Sequence, residues 1–400
     1  MGTERRKNLL RSKLLYTFLI MLIYIIGKSL PLYGIDVSAY INKTVDAEDL
    51  LVQTISGDIN QCSIFALGVS PYMISSIAVQ IMSAFQSSES KKKTSPKKRN
   101  QLTLALTLWM SVLMAATKVQ ELHFTATGTA LLFARVLAAL EMVTGAFLIM
   151  HLVSGNQKYG IGGQSALIFL NILDGIIVIL RGHDIRNLLI PLVISLVVML
   201  VMIIMENTEK RIPVQRISIH NIYADKNYLA IKMNPIGVMP AMFSTAFFML
   251  PQLLVTLLLW LFPEDSNLLL AQEKLVLTDP VGIVVYTIIL FGLTIGFSRV
   301  MINPEELTEQ FLKSGDSLCD LHAGRDTKKY LSKVINRLSL TSAIVMSICL
   351  CGPLVLQVLG ELEGTFTTLP SSVMMLTGVW CTLSREMSAV RDLEAYKPFI

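Results

Sequence analysis

The sequence predicts an all-α polytopic membrane protein, with ten transmembrane helices in two pseudo-symmetric five-helix halves. Three observations predict it. Only 16% of the 400 residues are charged and 53% are hydrophobic, at a mean hydropathy of +0.59; soluble domains carry roughly 25% charge. The apolar residues collect in runs of about 20, the length at which a helix crosses a bilayer. A short pattern also occurs twice. Leu67-Gly68-Val69-Ser70-Pro71-Tyr72-Met73 and Ile236-Gly237-Val238-Met239-Pro240-Ala241-Met242 lie 169 positions apart, one early in each half. Matching Gly/Pro-interrupted segments point to a duplicated architecture with a functional site between the halves. The Gly and Pro content of membrane helices is the competing explanation for the pair.

The ten spans are expected at about 14–33, 63–85, 102–120, 129–153, 165–181, 187–205, 236–262, 280–302, 339–360 and 370–390. The first run ends without a small-residue cleavage site, so it is expected to remain as a span. Basic residues mark one side: Arg5, Arg6, Lys7, Arg11 and Lys13, the Lys91–Arg99 cluster, Lys210, Arg211 and Arg216, and Arg325–Arg337. Acidic residues mark the other: Asp36, Asp46, Glu48, Asp49 and Asp58, then Glu264 and Asp265, then Glu361 and Glu363. Basic loops stay in the cytoplasm, so both termini are expected there, in a plasma-membrane protein. The chain then divides into a tail (1–13), a first half (14–185), a second half (186–390) and a C-terminal tail (391–400).

Two basic-side loops are long, at about 207–235 and 303–338. Asn303-Pro304-Glu305-Glu306 predicts a helix start, with Asn as N-cap, Pro at the first position and acids in the first turn. Loops of this size usually serve a purpose, here docking of a cytosolic partner. Inside the spans, Glu141 and Asp174 are the charged candidates for function; a structural contact is the alternative for Glu141. Lys28 is placed to snorkel. Five scattered cysteines and five histidines form no metal-ligand spacing. No Walker A, GxSxG or HExxH pattern is present, and Gly160-Ile161-Gly162-Gly163 lacks the strand context of a nucleotide site. No enzyme, cofactor or nucleic-acid partner is expected.

Six stretches, in order, resemble the SecY channel family of protein secretion. Leu14–Asp36 resembles its first helix and exit. Ser63-Ile64-Phe65-Ala66-Leu67-Gly68-Val69 with Pro71 is close to its SIFALGIxPYI stretch. Gly160–Gly163 looks like its GIGNG loop, and Arg211-Ile212-Pro213-Val214-Gln215 its RRIPVQ stretch. Asn234–Phe243 looks like its N-x-AGVIPxIF start of helix 7. Asn303-Pro304-Glu305-Glu306, Lys313-Ser314-Gly315, Thr327 with Tyr330, and Asn336-Arg337-Leu338 follow its NPEE…KSG…TxxYL…NRL order. The chain also departs from the pattern. His151 and Ser154 stand where Trp and Glu are usual, and Asp320-Leu321-His322-Ala323-Gly324 replaces a GIRPG-like turn. The last span opens on Leu369-Pro370-Ser371-Ser372 instead of Gly-Gly-Thr-Ser. This drift is most similar to the accessory SecY paralogue of Gram-positive bacteria.

The resemblance implies a passive central pore for unfolded preproteins, Ser-rich glycosylated adhesins by analogy, driven by an accessory SecA-type ATPase. Small SecE/SecG-like subunits would be further partners. It implies a pore ring at Val69, Met73, Phe169, Met242 and Met375, with helix packing as the plain alternative, since Met also fills cores. It implies a plug at 50–62, with Ile55, Ser56, Gly57, Asp58 and Ile59 at its centre. The lateral gate would involve Pro71, Gln80, Met239 and Pro240, the prolines weakening their helices. Motor docking would use Arg211, His322, Arg325, Lys328, Lys329 and Arg337. Three alternatives remain at this point: a housekeeping SecY channel, a secondary carrier or flippase that depends on Glu141 or Asp174, and a scaffold without a pore.

Overall fold

The computed structural model describes residues 9–36, 50, 53, 62–85, 96–125, 128–182, 185–216, 228–262, 265–318, 321, 324–360 and 364–395. A helix stands at each of the ten expected spans. They are α1 (Leu9–Ser29), α2 (Ser70–Phe85), α3 (Pro96–Glu121), α4 (Thr129–Tyr159), α5 (Gln164–Gly182), α6 (Ile185–Asn207), α7 (Met239–Leu261), α9 (Pro280–Met301), α11 (Arg325–Val358) and α12 (Thr368–Ala395). Two short helices, α8 (Ser266–Lys274) and α10 (Pro304–Ser314), lie between them. Of the ten described helices at these spans, eight are long and apolar enough to cross a membrane by themselves; α2 and α12 are the others.

The second span corrects the sequence reading. Residues 64–69 form turns, and the α2 helix itself has only 16 residues, about 24 Å at 1.5 Å per residue. Non-helical backbone at membrane depth is tolerated only where protein covers it, and Phe65, Ala66, Leu67 and Val69 are all buried. The run is tied to the exit of α1 by a Pro31–Ser63 bridge and by Ile64 N–H donating to Leu30 O at 3.0 Å.

In the first half, α3 packs on α2 and α4, and α5 on α1 and α4. In the second, α9 lies against α7 and α11. The helix α12 packs on α5, α6, α11 and α1, and α2 meets α7, so both seams between halves are closed. Lipid offers no hydrophobic drive between helices, and close approach at small residues takes its place. A Cβ at Gly378 of α12 would stand 2.5 Å from Val238 Cβ. Outward faces are apolar: Leu189, Val193, Leu196, Leu200 and Ile204 of α6 are exposed.

The described parts of the two long loops hold regular structure. The first contributes β1 (Glu209–Arg216) and β2 (Tyr228–Lys232), the second α10 and β3 (Asp316–Leu318). The strands form one antiparallel sheet in the order β2-β1-β3, with Arg211 opposite Ala230 and Gln215 opposite Ser317. The second loop is also shorter than expected, because α11 starts at Arg325 and runs 34 residues. Behind the sheet, Ile212, Val214, Ile231 and Leu318 pack with Leu331, Val334 and Ile335 of α11. Asn303 caps α10 as the sequence predicts, its Oδ1 accepting from Glu305 N–H at 3.1 Å.

Candidate functional site: a buried waist between the two motifs

The repeated pattern folds the same way twice. Gly68 (φ 55°) and Gly237 (φ 73°) both take the left-handed backbone that glycine favours. The next residue, Val69 or Val238, is buried. A helix then begins, and Pro71 or Pro240 sits in its first turn, where its missing N–H costs nothing. Met73 N–H donates to Val69 O at 2.9 Å, and Met242 N–H to Val238 O at 3.2 Å. These prolines therefore open helices and do not kink them. The prolines inside helices are Pro191, Pro251 and Pro353.

The two motifs meet in one core. Val69, Met73, Met242 and Met375 are all buried in a single cluster, and Phe169 packs against it, 6.1 Å from the Trp380 ring between centroids. Sequence reasoning missed Ile77, Ile168, Ile172 and Val238, which are buried in the same cluster. Helical spacing marks the first of them, since Ile77 lies one turn beyond Met73. Among the expected gate residues, Pro71 and Pro240 are buried, Met239 is half-buried and Gln80 is exposed. A cavity of 290 Å³ opens between α3, α7 and α8, lined by Met114, Thr117, Met249, Gln252 and Leu253.

The central plug residues Ile55, Ser56, Gly57, Asp58 and Ile59 lie outside the described residues. The start of that segment goes inward: Leu50 packs with Ile179, Phe366 and Leu369. Gln53 is buried, and a Cβ at Gly175 would stand 3.3 Å from its Oε1.

Both intramembrane carboxylates have structural partners. Glu141 Oε2 accepts the Tyr33 N–H at 2.9 Å, which pins the exit of α1 to α4. Asp174 pairs with Lys28, so Lys28 bridges α1 to α5 and does not merely snorkel. The sequence reading overlooked the most buried carboxylate among the described residues, Glu206 in the last turn of α6, which is 1% exposed. Its Oε1 accepts from Asn234 Nδ2 at 3.0 Å, and its Oε2 from Arg385 Nη2 at 2.7 Å. Ser342 Oγ donates to Asn234 Oδ1 at 2.8 Å. Burial, with Arg385 adding to it, pushes the ammonium of neighbouring Lys232 on β2 down from its ordinary value.

The glycine-rich turn between α4 and α5 is a structural knot. Asn156 Nδ2 donates to Ile161 O and Gly163 O, both at 2.9 Å, and Thr17 Oγ1 donates to Asn156 Oδ1 at 2.8 Å. At the sheet end, Arg325, Lys329 and Arg337 are exposed. Arg211 stacks 4.7 Å over the Tyr228 ring, and Lys328 pairs with Glu305. His322 lies outside the described residues.

Both helix starts thus enter one buried apolar core, and basic side chains are exposed at the sheet end. The SecY family model matches residues 63–381. The chain belongs to the SecY family. Full-length relatives include the accessory Sec system protein translocase subunit SecY2 of Streptococcus agalactiae, 28% identical across 98% of this chain and 96% of the relative. The subunit of the same name from Leuconostoc gelidum subsp. gasicomitatum is 26% identical across 97% and 96%. Among solved structures, a protein-conducting channel superposes with a TM-score of 0.70 at 15% identity, over 96% of this chain and 93% of the other. Sec61 in the canine ribosome–channel complex gives 0.65 at 16%, with the same coverage. The SecY fold thus spans nearly the whole chain.

Proposed function

We propose that this SecY-family protein is the pore-forming subunit of an accessory Sec translocase, a passive channel through which a motor drives unfolded preproteins across the plasma membrane. One observation supports the reading: Val69, Met73, Met242 and Met375 are buried in one core cluster with Phe169 packed against it, which we read as the waist of the channel. With alternating spans, α2 and α7 run in opposite directions, the inverted-repeat arrangement that places a site at mid-membrane. An apolar constriction holds back ions by dewetting, and flexible Met side chains reshape around varied passing residues. The relatives named accessory SecY2 favour the accessory over the housekeeping role. Glu141 and Asp174, the groups a carrier would use, are engaged in structural contacts.

The platform of β1–β3, α10 and the start of α11 is the docking surface for a SecA-type ATPase, through Arg211, His322, Arg325, Lys328, Lys329 and Arg337. Both termini face the cytoplasm, on the same side as the basic loops. SecE/SecG-like subunits cover lipid-facing helices, the 50–62 segment closes the channel from outside, and Pro71, Gln80, Met239 and Pro240 belong to the lateral gate. The substrates are Ser-rich glycosylated adhesins. The test is crosslinking from position 73 to a stalled preprotein, run with each type of SecA motor. Crosslinks with the accessory motor alone support the reading; none with either motor overturns the channel. The paired reversal Arg325→Glu and Lys329→Glu is expected to weaken ATPase binding to channel vesicles about ten-fold, near the effect of two lost rim charge pairs; unchanged binding removes these residues from the docking surface.

A further inference from the structure

The carboxylate beneath the second motif has no counterpart in the expectations for this chain, and its place is costly. Glu206 sits at the C-terminal end of α6, where the helix dipole disfavours an anion. It is also desolvated, so apolar packing there would serve stability as well or better. Its bonds reach three other elements: Arg385 on α12, Asn234 in the turn before α7, and Ser342 on α11 through Asn234. A Cβ at Gly237 would stand 3.2 Å from Glu206 Oε1, so the carboxylate also lies against the motif turn itself. One residue further, Val238 lies against Gly378, where an added Cβ would stand 2.5 Å from Val238 Cβ and 2.9 Å from Met202 Cε. Met202 is one turn before Glu206 on α6, and Gly378 is two turns before Arg385 on α12. A polar layer and an apolar layer thus grip the start of α7 together. The first motif differs: the run just before it, residues 62–64, is held by main-chain bonds to the exit of α1.

We propose that Glu206 is a positioning residue for the channel: with Arg385 and Asn234 it seats the start of α7 and so holds Val238 and Met242 in the closed waist. The inference rests on the waist being the ion seal. Releasing the grip lets the C-terminal side of the seal loosen while the first motif stays in place.

The test is ion conductance of proteoliposomes carrying the complete translocase, with neither preprotein nor ATP, at equal channel content. Glu206→Gln keeps the shape and removes the charge, and its resting leak is expected to rise about ten-fold, the weight of a charge-assisted bond. Ser342→Ala removes one neutral bond, and a rise of about two- to five-fold is expected. Driven export of a preprotein stays within about two-fold of the parent in both, since no contact with the passing chain is removed. Met242→Asn is the reference. If Met242→Asn leaks while Glu206→Gln and Ser342→Ala stay tight, the positioning role is wrong and the waist stands. If Met242→Asn itself stays tight, the waist is not the seal. Should Glu206→Gln fail to reach the membrane, the Ser342→Ala result decides.

Discussion

Gly68 and Gly237 hold positive φ angles of 55° and 73° at matching places, so replacing either with Ala forces a side chain into left-handed backbone at about 1–2 kcal/mol. The Gly237 substitution should cost more, because its Cβ would also crowd the Glu206 carboxylate at 3.2 Å. Thermal unfolding of the purified protein in detergent checks the order. Glu141 gives a second outcome at this scale. Its role is to accept one main-chain N–H from Tyr33, and Glu141→Gln keeps an acceptor there, so export should stay within about two-fold. A carrier coupled to protons through Glu141 would lose transport altogether. The glycines were legible because they recur in a recognisable frame. The Asn303 cap was legible because capping is local chemistry between neighbours. Glu206 was not. In sequence it reads as the polar end of an apolar run, and only the fold brings Asn234, Ser342 and Arg385 to it from 28, 136 and 179 positions away.

Helices were read at their places because apolar runs of about 20 residues leave few alternatives, but their ends were not. The apolar part of α11 begins near residue 339, and the fourteen residues before it are polar on one side; Leu331, Val334 and Ile335 hold that stretch in the helix by packing beneath the sheet. The strands were missed for a related reason. Gln215 and Ser317 pair across about a hundred residues, and such pairing has no local signature. Ser317→Pro would place a residue without an N–H at the centre of this three-pair ladder. It is expected to separate β3 from β1 and weaken ATPase binding to channel vesicles, while the bundle keeps its helicity by circular dichroism. The α4–α5 turn offers a sharper outcome. Asn156→Ala strips partners from Ile161 O, Gly163 O and Thr17 Oγ1 at once, so destabilisation of about 2–4 kcal/mol is expected. A denaturation midpoint in mild detergent measures it.

Across the molecule, the doubled motif already announced two related bundles, and the two helix starts are buried in one core cluster. The sequence left open which elements hold the bundles together. The answer is largely α12, which belongs to the second half yet packs on α1 and α5. Its Glu386 Oε2 accepts the Gly162 N–H at 2.9 Å, and its Glu394 Oε1 accepts the Leu10 N–H at 2.6 Å. A chain split after residue 184 and produced as two polypeptides is therefore expected to reassemble, with the halves co-purifying. Replacing Glu386 and Glu394 together with Ala should reduce the recovered pair, and separate halves with the parent sequence would contradict this picture. The sheet has a mechanical consequence of its own. Because β1 pairs with strands from both long loops, and α11 packs beneath that sheet before running into the bundle, a push delivered on either loop would be passed inward along α11.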